Sequence, residues 1–250
     1  DAIKKKIIDD SRQVIDERIS KSEIIFVCTP VSSTNDVLEN LLPFLSKKNI
    51  VTDTGSVKNI FKKSTLKKII SISNFIPGHP VAGTEYSGAK NSMIDLFVGK
   101  WCILTPLKQH KFERKIISEL WESLGMKIAI MTSNEHDKIM SITSHLPHLI
   151  AFTIVNTAFD FDLKKKKELI NFSAGGFRDF TRIGSSDPNM WSDIFMENKK
   201  QIINTLDNFI GDLKNFRELI KKNQKDKIFK ILKRTKVIRK SILKANELKK

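Results

Sequence analysis

Four short polar stretches carry side chains that do chemistry. GHPVAGTE (Gly78 to Glu85) holds an imidazole, His79, between a glycine and a proline, with Thr84 and Glu85 close behind. DTGSVK (Asp53 to Lys58) offers Ser56, and SHLPH (Ser144 to His148) places His145 and His148 about one helical turn apart. GGFRDFTRIGSSDPNMW (Gly175 to Trp191) contains Arg178, Arg182 and Trp191. An imidazole titrates near neutrality and is the usual proton acceptor of an active site. A guanidinium meets a carboxylate with two parallel hydrogen bonds, which a lysine cannot do. Each residue also has a plain structural reading. His79 could close its own turn, Ser56 could be a turn serine, and His145 and His148 could be satisfied core groups. Arg178 could pair with Asp179 or Glu85, Glu85 could be a surface carboxylate, and Trp191 could simply fill a core. No metal chemistry is expected, because Cys28 and Cys102 lie in apolar runs (IIFVCTP, KWCILTP) without ligand spacing and read as buried, reduced thiols.

The elements that must position these residues change character along the chain. IIFVCTP (24–30), NIVTDTG (49–55), NFIPGHP (74–80), KWCILTP (100–106) and MKIAIMT (126–132) are β-branched, apolar and closed by Pro, Gly, Thr or Asp, as strands are. Helical patterns such as TNDVLENLLPFLSKK and KFERKIISELWESLG separate them. This alternation predicts an α/β domain of Rossmann type on a mostly parallel sheet over residues 1–132, with ligands bound beyond the carboxyl ends of the strands. From residue 133 to 250 the pattern is helical throughout and predicts an all-α domain. Within it, Pro147 should kink a largely apolar helix and free a carbonyl near the two histidines. The last thirty residues read as an amphipathic basic helix packed on the domain. No G-x-G-x-x-G occurs, and the first glycine is Gly55. A dinucleotide fold opens with that turn, so the chain is expected to start partway through the domain, without the residues that select NAD or NADP.

The formal charge is +16, yet only eight of the 44 basic residues are arginine, and the lysines are scattered. With no helix-turn-helix, zinc or RNA-binding signature, nucleic acid is not the expected partner. The first residues lack a signal peptide's apolar centre, and no apolar run reaches the ~18 residues of a bilayer span, so a soluble cytoplasmic protein without membrane contact is expected.

Taken in order, DTGSVK, GHPVAGTE, SHLPH and DFTRIG closely resemble the motifs of the prephenate and arogenate dehydrogenases of tyrosine biosynthesis, over residues ~20 to ~220. The resemblance implies NAD, or alternatively NADP, as cofactor and a homodimer formed through the helical domain. It also implies oxidative decarboxylation: hydride leaves the hydroxyl-bearing ring carbon, the hydroxyl proton goes to a base, and the ring carboxylate departs. On this resemblance His79 is the base and Ser56 its partner or that of the substrate hydroxyl. Arg182, His148, Thr84, Glu85, Arg178 and Trp191 bind substrate, while Thr29, Pro30, Val31, Asp53, Thr54 and Gly55 border the cofactor. Two other readings stay open. A 6-phosphogluconate-type dehydrogenase would use a catalytic lysine, against which GHPVAGTE and SHLPH argue. A non-catalytic binding or dimerisation remnant follows if the nucleotide site is incomplete; on the dehydrogenase reading too, the fragment as it stands is expected to be inactive.

Overall fold

The computed structural model describes residues 2–84, 88–107, 110–161, 168 and 171–247. It divides into two compact units, Asp1–Ile202 and Ile203–Lys250.

In the first unit, β1 (Ile24–Val27), β2 (Ile50–Asp53) and β3 (Asn74–Phe75) form a parallel sheet in that order. All four residues of β2 are buried, as expected of a central strand covered on both faces. Helix α1 (Thr34–Leu41) buries Thr34, Leu38 and Leu41, and α2 (Lys63–Ile72) buries Thr65 and Ile69. The i, i+4, i+7 spacing in α1 and the i, i+4 pair in α2 lay one stripe of each helix on a core of Ile25, Val27, Val51 and Phe75.

NFIPGHP, expected as one strand, is two. The parallel ladder continues to the Ile76 amide, which bonds the Val51 carbonyl at 2.8 Å, and stops at Pro77, which has no amide to give. The Pro77 carbonyl instead accepts from the Thr105 amide at 2.9 Å. Beyond it, β4 (Gly78–Val81) pairs antiparallel with β5 (Trp101–Leu104), which pairs parallel with β6 (Lys127–Ile130). The expected mostly parallel sheet is therefore two three-stranded ladders, one of them mixed. They meet at Gly78, where an added Cβ would lie 3.1 Å from the Asp53 carbonyl oxygen and 3.3 Å from Leu104. Helix α3 (Lys111–Ser123) packs Ile117 and Trp121 against Cys102, Leu104 and Met126. Of the two cysteines only Cys102 is buried, and burial pushes its thiol up to about 12. Cys28 is exposed because β1 ends one residue before it.

A long helical run follows: α4 (Ser133–Met140), a π-helical turn (Ser141–His145) and α5 (Leu146–Phe161). Thr132 caps α4 in a reciprocal box. Its hydroxyl accepts from the Glu135 amide at 3.2 Å, and the Glu135 carboxylate accepts from the Thr132 amide at 2.8 Å. The irregularity expected at Pro147 takes the form of the π turn, in which the Leu146 amide reaches back five residues to the Ser141 carbonyl. Contrary to the sequence expectation, Ser133–Asp160 is long and apolar enough to cross a bilayer by length and composition. Within it His136, Asp137 and His145 are buried among protein partners. Helix α6 (Gly175–Ile183) packs on α5, and α7 (Pro188–Glu197) starts at Asp187, whose carboxylate caps the Asn189 and Met190 amides.

Helix α8 (Lys199–Lys221) begins in the first unit and continues into the second, which also holds α9 (Lys225–Glu247). In the second unit a turn through Asn223, at φ 53°, joins the two helices, and the Gln224 amide closes it onto Leu219. Ile210, Leu213, Phe229 and Val237 stay exposed there.

Candidate active site

Two adjoining cavities open at the carboxyl ends of β1, β2 and β4. The first, of about 430 Å³, is lined by Thr29, Pro30 and Val31 after β1, by Thr54, Gly55 and Ser56 after β2, and by Asp187, Asn189, Met190 and Asp193 of α7 and its cap. The Ser32 hydroxyl donates to Asp193 and ties the loop after β1 to α7. The second, of about 340 Å³, is lined by His79, Val81 to Thr84, Lys100, Ser144, His148, Ser186 and Trp191. Ser56, Met190 and Ile194 belong to both walls, so the cavities meet at Ser56.

The first cavity suits a polar ligand lying along the strand ends. The Thr29 hydroxyl is buried there with no protein partner among the described residues. At Gly55 an added Cβ would fall 2.9 Å from the Asp53 carboxylate and 3.1 Å from Val31, so the backbone itself is the wall. Asp53, expected to border the cofactor, turns inward instead. Its Oδ1 accepts from the Gly78 amide at 3.2 Å, and its Oδ2 accepts from the Gly55 amide at 2.9 Å and from the Lys58 ammonium. Lys58 is wholly buried and also donates to the Gly78 carbonyl. Burial pushes its pKa down, and the neighbouring Asp53 opposes that shift.

The Asp53–Lys58 pair thus holds both backbone groups of Gly78, the residue that precedes His79. His79 is buried, and its ring Nδ1 lies 2.8 Å from Nε2 of His136, not against Ser56. Nδ1 of His136 lies 2.8 Å from Oδ1 of Asp137. The Asp137 carboxylate also accepts from the amides of Lys58 and Asn59, both at 2.8 Å. A carboxylate already holding two amide donors is the acceptor, so His136 donates from Nδ1 and presents a bare Nε2. His79 must then donate from Nδ1, which leaves its own Nε2 with a free lone pair. Burial first, then the charges that His136, Lys58 and His145 would carry, hold the His79 pKa well below its ordinary value. Its resting form is the neutral base.

His148 is fixed in a similar way. Its Nδ1 donates to the Ser144 carbonyl at 2.9 Å, and its ring stacks on Trp191. Burial lowers its pKa, the carbonyl contact opposes this, and the Arg182 charge lowers it further. Arg182 therefore stands near the second cavity without lining it, exposed on α6. Arg178 spends its Nε on the Ser173 carbonyl at 3.1 Å and reaches neither cavity. Thr84 lines the second cavity, whereas Glu85 lies outside the described residues.

His136, Asp137, Lys58 and Asn198 were not singled out from the sequence. Asn198 donates its amide to the Asp137 carbonyl at 2.9 Å and lies 3.1 Å from His145 Nδ1. A signal for the first two was present in TSNEHD, a Thr-x-x-Glu capping box that starts a helix immediately before a His-Asp pair.

The same architecture recurs among known proteins. Residues 1–130 match the family described as prephenate dehydrogenase, nucleotide-binding domain, and residues 132–234 match prephenate dehydrogenase, dimerization domain. Cyclohexadienyl dehydrogenase of Zymomonas mobilis is 36% identical over 214 residues, covering 85% of this chain and 72% of that protein. Prephenate dehydrogenase of Bacillus subtilis is 31% identical over 241 residues, 94% of this chain and 64% of that protein, so the chain spans under two thirds of its length. The crystal structure of prephenate dehydrogenase from Aquifex aeolicus with hydroxyphenyl propionate and NAD+ superposes with a TM-score of 0.85 at 34% identity, covering 96% of this chain and 84% of that one. Synechocystis arogenate dehydrogenase superposes with a TM-score of 0.78 at 29% identity, covering 96% and 86%. With both halves matched and the cavities at the strand ends, this chain belongs to the prephenate dehydrogenase family.

Proposed function

We propose that the protein catalyses NAD-dependent oxidative decarboxylation of prephenate or arogenate and works as a homodimer through its helical half. The observation that carries the reading is His79, its Nδ1 taken by His136, in the wall of a cavity that meets a second one at Ser56. NAD is assigned because the similar Aquifex aeolicus protein was crystallised with NAD+. Bound in the first cavity, it supplies the ring carbon that accepts the hydride.

The protein's own groups do the rest. His79 Nε2 takes the proton of the substrate hydroxyl as the carbon beneath loses its hydride, and the oxygen becomes a carbonyl. The ring carboxylate then leaves as carbon dioxide, its bonding electrons pass through the ring to the carbonyl oxygen, and the phenolate so formed takes the proton back to give the aromatic phenol. Ser56, at the junction, hydrogen-bonds the reacting hydroxyl. Arg182 holds the substrate's carboxylate from the rim, and His148 offers Nε2 as an acceptor. Walls of Val81, Met190 and Trp191 exclude water from the reacting carbon.

Initial rates with each substrate, followed by the absorbance of reduced nicotinamide with NAD and with NADP, test this. His79→Ala should lower kcat by ~10² to 10⁴, and Arg182→Gln should chiefly raise KM. An active His79→Ala, or no turnover of either substrate by the full-length wild-type enzyme, overturns the reading. Sedimentation at micromolar concentration checks the dimer.

A further inference from the structure

We propose that His136, paired with Asp137, is the group on which the substrate's proton comes to rest, and that His79 passes that proton on rather than keeping it. This rests on the dehydrogenase reading above. Asp137, His136 and His79 form one buried line of two 2.8 Å contacts, in which each donor's partner is a bare acceptor. The line starts at a carboxylate anchored by two backbone amides and ends at the lone pair in the substrate cavity.

The surroundings of the two rings decide where a positive charge is tolerated. His79 follows Gly78, whose carbonyl holds the Lys58 ammonium, and it faces His145 and, across the β4–β5 ladder, the neutral Cys102 thiol. Among the described residues no carboxylate bonds its ring. His136 touches the Asp137 carboxylate directly, so an imidazolium there is half of a charge-assisted pair. A proton left on His79 would sit beside a buried ammonium; moved one ring further, it sits beside an anion.

The transfer balances. The substrate O–H bond breaks and the His79 Nε2–H bond forms. The His79 Nδ1–H bond breaks and the His136 Nε2–H bond forms. His79 ends neutral in its other tautomer, and His136 becomes the imidazolium bound to Asp137. Once the carboxylate has left, the same two shifts in reverse return the proton through His79 to the phenolate oxygen, and the product departs as the phenol. His136 and Asp137 line neither cavity and act as positioning and proton-holding residues.

His136→Gln separates the two duties, because its side-chain oxygen still accepts from His79 Nδ1 but cannot take a proton. We expect KM within ~2-fold of wild type and kcat ~10- to 100-fold lower. The acid limb of the kcat profile should move to lower pH, since the base is harder to protonate without the carboxylate-paired ring. Asp137→Asn should move the limb in the same direction. Unchanged kcat and limb, or lower kcat with an unmoved limb, overturns the proposal. Nitrogen-15 shifts of the wild-type histidines decide it independently of turnover. The expected result is Nδ1–H on both rings at neutral pH, with His136 the first to become doubly protonated on acidification. An imidazolium forming first on His79 overturns it. Absence of wild-type turnover with either substrate would instead defeat the dehydrogenase reading, leaving the nitrogen shifts to judge the pair.

Discussion

The imidazole of His148 lies flat on the indole of Trp191, with ring centroids 3.7 Å apart and planes 19° apart, while its Nδ1 is tied to Ser144. Stack and hydrogen bond together leave only Nε2 open. Contacts of this kind are worth about 0.5–1.5 kcal/mol. Trp191→Leu should therefore raise KM by ~2- to 10-fold and alter kcat by less than ~2-fold, while Trp191→Phe keeps a stacking face and loses less. Steady-state kinetics of the two variants check this. Equal loss in both would mean that indole shape, and not stacking, matters.

Gly78 sits where the two ladders meet. A Cβ there would press on backbone, the Asp53 carbonyl at 3.1 Å, as well as on Leu104 and on Thr52 at 3.4 Å. Backbone yields less readily than a side chain, so Gly78→Ala should cost about 1–3 kcal/mol in urea unfolding. It should also lower kcat by displacing His79. A variant with wild-type midpoint and rate would show that the strands part freely.

Removing Lys58 leaves a buried carboxylate with only its two amide donors. Lys58→Met should lose about 3–5 kcal/mol, the cost of breaking a buried pair from one side. The double variant Asp53→Asn with Lys58→Met should regain part of that loss, because no unpaired charge remains. Chemical denaturation of the four proteins of the cycle gives the coupling. Additive losses would contradict it.

Acid should destabilise the fold through its buried histidines. Burial, partly opposed by Asp137, lowers His145 to about 4, whereas the unfolded chain protonates this ring near 6.5. The unfolded state therefore binds more protons between these values. Stability is full above pH 6.5, falls as pH drops toward 4, and His145 alone can remove up to about 3 kcal/mol. His79 and His148, also lowered, act in the same direction. Urea midpoints from pH 7.5 down to 4 read the slope, and His145→Gln should flatten it. A stability independent of pH over that range would refute the account.

Much of the layout was legible in the sequence because strand ends announce themselves. IIFVCTP, NIVTDTG and GHPVAGTE end in residues that leave a ladder, and the cavities lie at those ends. What was hidden depends on pairing between segments far apart in the chain. Period-2 patterning showed that NFIPGHP is extended but not which neighbour it bonds, and the switch at Pro77 was read as continuity. Asp53 looked like a cofactor contact because it closes a strand, yet its direction is set by Lys58 and Gly78, which only the folded chain brings near. His136 lay in a helix pattern with no spacing cue linking it to His79, 57 positions earlier. Arg178 shares a helix with Arg182, but its guanidinium is taken by a local carbonyl that no pattern records.

The π turn at Ser141–His145 works as a clock setting. Each α-helical residue advances about 100° around the axis, so His136 and His148, twelve positions apart, would point about 120° away from each other on an unbroken helix. A π turn inserts roughly one residue without that advance and brings the two bearings nearly into line. One helix can therefore serve both His79 and the substrate wall. Forcing this turn into α geometry with its residue count unchanged would swing His148 about 100° off Trp191, whereas deleting one residue would restore α geometry and keep the bearing. What this segment must keep is the bearing, so its residue count and its helix type can change only together.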